Sequence, residues 1–490
     1  MPTSRDLVIR STVFALLVAF SATISLAAET VLTRQPYLQL GTPDSMTVVW
    51  RTQGLSTPVI RWGKSTGEME TRPEQVRVVT RVSPDHQGEP DLARLSAAPA
   101  DTYQYEATIT GLSPSSVYYY GVYDAGRKLA GEDETHRFAT SPPRGEKKPV
   151  RFWVVGDSGT GLPDQAKVHD AMVDYTAKTS RPLDLYLHVG DMVYPKGEDH
   201  HFQQRFFDMY DPTLRNTICW AAMGNHEGAT SKGLTGIGPY YDAYALPTKA
   251  EAGGLASGTE AYYSFDYGQV HFICLDSHDL DRRPSGAMAQ WLKADLEKTK
   301  ADWLIAFWHH PPYSKGTHDS DTDTQMTEMR KHIVPILESG GVDLVLTGHS
   351  HTYERSMLVD GAYATPTVAE NVVFDDGDGN PKGDGAYRKS AGLHPNEGAV
   401  QVVSGHGGAG LGRKGTMPIM KKVIVEHGSV IVDIDDDTLT AVMVDKHREK
   451  RDLFSIVKKG QVTPKRIEHP RQLPPFTPTP RGEKVTSNDK

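Results

Sequence analysis

The sequence predicts two folded domains in series, a small all-β sandwich and then a larger α/β domain, and three observations carry that prediction. The chain has 490 residues, more than one hydrophobic core ordinarily organises. Up to about residue 140, apolar residues fall in short β-branched and aromatic runs divided by turns, and nothing helical stands out. From residue 150 onward, apolar strand-like runs alternate with longer segments of helical spacing.

The N-terminus precedes both domains. Arg5 and Arg10 lead into residues 11–28, which carry no charge, and small residues Ser25, Ala27 and Ala28 stand before Glu29. That is the layout of a secretory signal peptide over 1–28, and the apolar run is short for a membrane span. Export is therefore expected, to a secreted or periplasmic location, with no transmembrane segment after signal removal. A composition of 38% hydrophobic and 23% charged residues is that of an ordinary globular protein. The formal net charge of −9 argues against general binding to nucleic acid or an anionic membrane. Cys219 and Cys274 each sit in an apolar run, so two buried free thiols are expected rather than a disulfide scaffold.

Within the first domain, placed at 31–141, strands are expected at 47–52, 59–62, 103–110 and 117–122. Gly-Thr-Pro-Asp at 41–44 and Gly-Leu-Ser-Pro at 111–114 supply turns. A polar, proline-bearing linker follows at 142–149. In the second domain, placed at 150–445, the strand-like runs are 151–155, 183–189, 218–223, 270–275, 303–308 and 342–346. Helical spacing covers 287–298, with Ser285 as N-cap, and 325–338. Residues 371–398, rich in Asp and Gly, read as a flexible surface insertion. Pro381 stands where a calcium loop would need Gly. Residues 446–490 are left as a C-terminal tail, whose last 30 or so residues either pack on the body or stay loose.

Five short polar motifs follow apolar runs of the second domain in order. Asp157 lies in Gly-Asp-Ser-Gly, Asp191 and Tyr194 in Gly-Asp-Met-Val-Tyr, and Asn225 and His226 in Gly-Asn-His-Glu. His309 opens His-His-Pro-Pro-Tyr, and His349 and His351 lie in Gly-His-Ser-His-Thr-Tyr-Glu-Arg. Each polar residue stands just past the carboxyl end of a strand, the rim at which open α/β sheets bind ligands. Five such loops bring carboxylates, an amide, a phenol and imidazoles to one place. Oxygen and nitrogen donors without thiolate suit Fe, Mn or Zn. A carboxylate shared by two ions would hold them roughly 3.5–4 Å apart.

Together these motifs resemble the signature of the purple acid phosphatases, members of the calcineurin-like metallophosphoesterase superfamily. Arg34-Gln-Pro-Tyr-Leu-Gln39 and Ser45-Met-Thr-Val-Val-Trp50 resemble that family's N-terminal fibronectin type III-like module. The resemblance implies a metallophosphoesterase domain of two β-sheets flanked by helices. It implies one ion, Fe(III), held by Asp157, Asp191, Tyr194 and His351. A second ion, divalent Fe, Zn or Mn, would be held by Asp191, Asn225, His309 and His349, with Asp191 as bridge. His318, nine residues past His309, falls near where plant-type members place substrate-contacting histidines. Two departures stand out. Ala306 occupies a position where the family usually has Val, and His310 beside His309 makes the ligand choice ambiguous, His309 keeping the His-x-Pro spacing.

The expected function is hydrolysis of a small phosphate monoester by attack of a metal-bound hydroxide, with His226, helped by His318, stabilising the phosphoryl group or protonating the leaving group. Two alternatives stay open. One is a phosphodiesterase or nucleotide hydrolase on the same metals; the other is a non-catalytic phosphate- or metal-binding or adhesion protein.

Overall fold

The computed structural model describes residues 30–83 and 93–477. The expected signal peptide lies outside the described residues. The first domain is a sandwich of two sheets. One runs in the order Val31–Gln39, Ser45–Gln53, Thr102–Thr110, Val76–Val82 and Ala93–Arg94. The other is built around Val117–Asp124, flanked by Pro58–Gly63 and Arg127–Gly131, with Arg137–Ala139 also pairing to it. Trp50 and Tyr105, both fully buried, stack at 5.3 Å in its core. Val76–Val82 carries no clean alternation of burial, which is why its sequence gives a weak strand signal.

The second domain packs two seven-stranded mixed sheets. Cys219–Ala221, Leu185–His188 and Val150–Val155 run parallel in the first, which continues through Gly428–Asp435, Thr438–Asp445 and Lys450–Lys458 to Tyr387–Lys389. In the second, Val270–Cys274, Trp303–Phe307, Leu344–Thr347 and Val400–Ser404 are parallel neighbours. These parallel strands are buried along their whole length, so their sequences are runs of apolar residues rather than alternations. Aromatic side chains of the two sheets meet directly, Phe152 edge-on to Phe272 at 5.4 Å and Trp220 stacked on Phe265 at 3.8 Å. Helices Pro163–Lys178 and Ala287–Lys298 accompany the sheets, the second starting at Gly286 with no side-chain cap, not from Ser285. Cys219 and Cys274 are both free and buried.

Two segments differ from their sequence reading. Lys450–Lys458, left in the tail, is a strand paired to Thr438–Asp445. The Asp/Gly-rich segment is anchored rather than loose. Val373–Asp375 pairs with Leu358–Val359, and Tyr387–Lys389 pairs with Lys450–Lys458. Lys389 and Lys458 lie 2.7 and 2.9 Å from the two oxygens of fully buried Asp343. Arg355 donates to the Asp378 carbonyl, and Ile467 of the tail donates to that of Val373. Composition averages over such segments and hides the few residues that pin them.

The domains share buried polar contacts. Arg51 meets Asp199 at 2.6 Å, the Tyr37 hydroxyl donates to the Ala243 carbonyl at 2.8 Å, and Gln104 donates to that of Asp242 at 2.8 Å. Leaving either partner of the Arg51–Asp199 pair alone in this interior would be costly, which favours one fixed docking.

A second buried ion group makes a pH prediction. His271, 1% exposed, lies 2.6 Å from Asp266 and 2.8 Å from Asp295. Burial alone would lower its pKa, but hydrogen bonds to both carboxylates and their charges lift it to about 9. A raised folded pKa means stability fully present below the unfolded histidine value, roughly 6.5, and lost as pH rises through about 9. The stability gap between wild type and His271→Gln should therefore shrink by up to about 3 kcal/mol between pH 6 and 9.5. Urea unfolding at the two pH values measures it, and an unchanged gap would contradict the assignment.

Candidate metal centre

Strand ends deliver every residue of the site. Asp157 follows Val150–Val155, Asp191 follows Leu185–His188, Asn225 follows Cys219–Ala221, His309 follows Trp303–Phe307, and His349 follows Leu344–Thr347. The two sheets thus contribute from facing rims. Three of these residues, Asp157, Asp191 and His349, hold left-handed backbone at φ 55°, 53° and 63°. That conformation is uncommon outside glycine and gathers at functional sites. Gly190, at φ 92°, and Gly224 let the loops touch, since a Cβ on Gly224 would strike the backbone nitrogen and carboxylate of Asp191.

The side chains form two groups that meet on one carboxylate. The Tyr194 hydroxyl lies 3.3 Å from Asp157 Oδ1, 3.2 Å from Asp191 Oδ2 and 3.3 Å from His351 Nε2. Asn225 Oδ1 lies 3.0 Å from His309 Nε2 and 2.9 Å from His349 Nδ1. Asp191 Oδ2 is also 3.4 Å from His309 Nε2. Donor atoms bound to one ion at roughly 2.0–2.2 Å stand about 3 Å from one another, so these separations fit metal coordination.

Backbone groups orient the donors. His309 Nδ1 donates to the Val189 carbonyl and His351 Nδ1 to that of Gly410, each at 2.9 Å, so Nε2 is the free nitrogen of both rings. Asp157 Oδ2 accepts from the His349 amide at 2.8 Å, and Asp191 Oδ1 accepts from the His226 amide at 2.9 Å. The tandem histidines lie side by side, His310 also having a ligand atom within 4.8 Å of those of His309 and His349, but they are held differently. His310 Nδ1 and amide both meet Ser277 Oγ at 2.9 Å, whereas His309 Nε2 faces Asn225 and Asp191.

Charge within the cluster is one-sided. Burial, then the carboxylates of Asp191 and Asp157, push the Tyr194 phenol well above its ordinary pKa. Burial would lower the pKa of His309, but the Asp191 charge raises it. Two carboxylates and a phenol in a buried site, beside imidazoles already oriented, are a donor set suited to hard or borderline cations.

His226 and His318 flank this cluster. His226 Nδ1 donates to the Pro195 carbonyl at 2.6 Å, leaving Nε2 at 3.9 Å from Asp191 Oδ2 and the ring 4.3 Å from that of Tyr194. The His318 ring lies 3.9 Å from the His349 ring, and burial followed by the charges of His349 and His351 holds its pKa down to about 4. Tyr353 and Arg355 turn away to Asp452 at 2.8 and 2.6 Å, and Glu354 accepts from the Lys315 amide at 3.2 Å.

One organising residue escaped the sequence reading. Glu227 is fully buried and accepts from the amides of Asp191, Val193 and Gly224 at 2.9, 3.0 and 3.0 Å. It fastens two metal-motif loops together. Burial and the Asp191 charge push its pKa up, while the Val193 and Gly224 amides pull it down. The available signal was an acidic residue closing the Gly-Asn-His-Glu motif.

Comparisons with known proteins bear on both domains. The calcineurin-like phosphoesterase family profile matches residues 150–353, and that of the purple acid phosphatase N-terminal domain matches 33–140. Purple acid phosphatase 18 of Arabidopsis thaliana is 28% identical over 357 residues, 71% of this chain and 72% of that protein. Purple acid phosphatase 15 of the same plant is 28% identical over 305 residues, 57% of this chain and 54% of the relative. Probable inactive purple acid phosphatase 1, also from Arabidopsis thaliana, is 25% identical over 415 residues, 77% of this chain and 60% of the relative. In the last two matches the chain spans little more than half of the relative's own length. The solved purple acid phosphatase from yellow lupin (Lupinus luteus) seeds superimposes with a TM-score of 0.64 at 20% identity, covering 86% of this chain and 74% of that one. At that identity the likeness speaks for the fold. With both domains matched in order, the chain belongs to the purple acid phosphatases, metal-dependent phosphatases among the calcineurin-like phosphoesterases.

Proposed function

We propose that this chain is an exported acid phosphatase that hydrolyses phosphate monoesters at a binuclear metal centre. The observation that carries the proposal is the position of Asp191 Oδ2, 3.2 Å from the Tyr194 hydroxyl and 3.4 Å from His309 Nε2. One carboxylate thereby belongs to both donor groups. Asp157, Asp191, Tyr194 and His351 would hold Fe(III), and Asp191, Asn225, His309 and His349 a divalent Fe, Zn or Mn. When bound, such a pair supplies positive charge to the phosphoryl oxygens and lowers the pKa of a water that serves as nucleophile. Donor identity is complete in both groups, which favours a catalytic reading over a scaffold that keeps the fold without the chemistry.

The remaining steps fall to the protein. His226 is fixed by its Nδ1 bond to Pro195, so its Nε2 faces the cluster, and its role in this reading is to donate a proton to the leaving oxygen. His318 packs on His349, and its role in this reading is to hydrogen-bond a phosphoryl oxygen. Export is supported by the signal-like residues 1–28 and by the described residues, among which no helix is long and apolar enough to cross a membrane.

Two measurements test this reading. His226→Ala should keep its metals and lose about 10²- to 10⁴-fold in kcat, the range for one general acid; normal turnover would remove His226 from the mechanism. The wild type should favour 4-nitrophenyl phosphate over bis(4-nitrophenyl) phosphate. The reverse preference would make it a diesterase on the same centre.

A further inference from the structure

A second cluster of metal-type donors lies outside the binuclear centre. Glu198, His200 and His201 each present one ligand atom, and the three atoms lie within 4.8 Å of one another. His200 Nδ1 is 3.5 Å and His201 Nδ1 4.0 Å from Glu198 Oε2, and the two imidazole rings stand 4.0 Å apart. Neighbouring residues on a helix do not ordinarily face one another. Here, in the first turn of Asp199–Phe202, both rings converge on one carboxylate.

An independent observation points to a ligand. His201 is only 7% exposed, and its Nδ1 is buried without a hydrogen-bond partner. A buried ring nitrogen left unpaired is costly, and this one is directed at the Glu198 carboxylate. Burial also lowers the His201 pKa, followed by the charges of His200 and Arg205, which keeps the ring in the neutral form that binds metal. Asp199, between these residues in sequence, is occupied by Arg51 at 2.6 Å and Arg34 at 3.7 Å. Glu198 alone is thus left to serve the histidines.

We propose that Glu198, His200 and His201 form a third metal site, for a divalent transition ion of the Zn²⁺ class. Two imidazoles and a carboxylate, with water at the remaining position, match the donor preference and coordination number of that ion. The site shares no residue with the binuclear centre. It lies between the loop carrying Asp191 and Tyr194 and the buried Arg51–Asp199 contact with the first domain. An ion there would tie the start of this helix to its preceding loop, so its role is to stiffen that loop.

The test uses the full-length holoenzyme, dialysed against Zn²⁺ and counted for metal. Wild type should retain one more zinc per chain than His200→Ala or Glu198→Gln, and added zinc should raise its Tm more than theirs. The His200 side chain is 57% exposed, so its substitution leaves the fold intact. Because the readout is the difference between wild type and variant, it is independent of what the binuclear centre holds. Equal zinc uptake by wild type and both variants would overturn the proposal.

Discussion

Asp191→Ala should leave a folded protein that has lost both its metal ions and its turnover. Asp191 is the single residue common to the two donor groups, with Oδ2 near Tyr194 and His309 and Oδ1 held by the His226 amide. Removing it takes one ligand from each ion together with the negative charge between them. The expected loss in kcat is at least on the order of 10³- to 10⁵-fold, the scale on which charge-stabilising groups act in phosphoryl transfer. Metal analysis and turnover of the same preparation check this. Ordinary turnover with two ions retained would show that Asp191 does not bridge.

Glu227→Ala should be the most damaging change at a residue that touches no metal in this account. Three amide donors would lose their acceptor in a fully buried place. At roughly 1–2 kcal/mol for each buried donor left without its acceptor, the sum is on the order of 4 kcal/mol. Relief of repulsion with Asp191 offsets part of it, but not three stranded donors. A fall in Tm of about 4–6 °C follows, and metal affinity should weaken about 10- to 100-fold because the loops lose their shared anchor. Glu227→Gln keeps the shape and one acceptor oxygen, so it should fall between. Calorimetry and metal titration read both effects, and wild-type values in the alanine variant would refute the loop-fastening role.

The sequence showed the parts of this molecule that repeat a physical pattern. Fully buried parallel strands must be apolar throughout, so 151–155 and 303–308 stood out and correspond to Val150–Val155 and Trp303–Phe307. Metal donors at strand ends were visible because each follows such a run. What stayed hidden depends on distant partners. Glu227 reads as a polar residue in a turn until Asp191 and Val193 are brought to it. The 371–398 segment reads as loop because its anchors, Arg355 and Asp343, lie elsewhere in the chain. Glu198, His200 and His201 form no motif, and only the backbone at Asp199–Phe202 turns their donor atoms toward one another.

The most direct test of the central claim is the visible spectrum and metal content of the mature protein, purified without chelator or added metal. A tyrosinate on ferric iron absorbs visible light, and Tyr194 lies 3.2 and 3.3 Å from the two carboxylates of its group. The expected result is a purple protein with about two metal ions per chain, iron among them, whose colour disappears in Tyr194→Phe. A colourless protein that holds no metal, and hydrolyses no phosphate ester after metals are supplied, would contradict it.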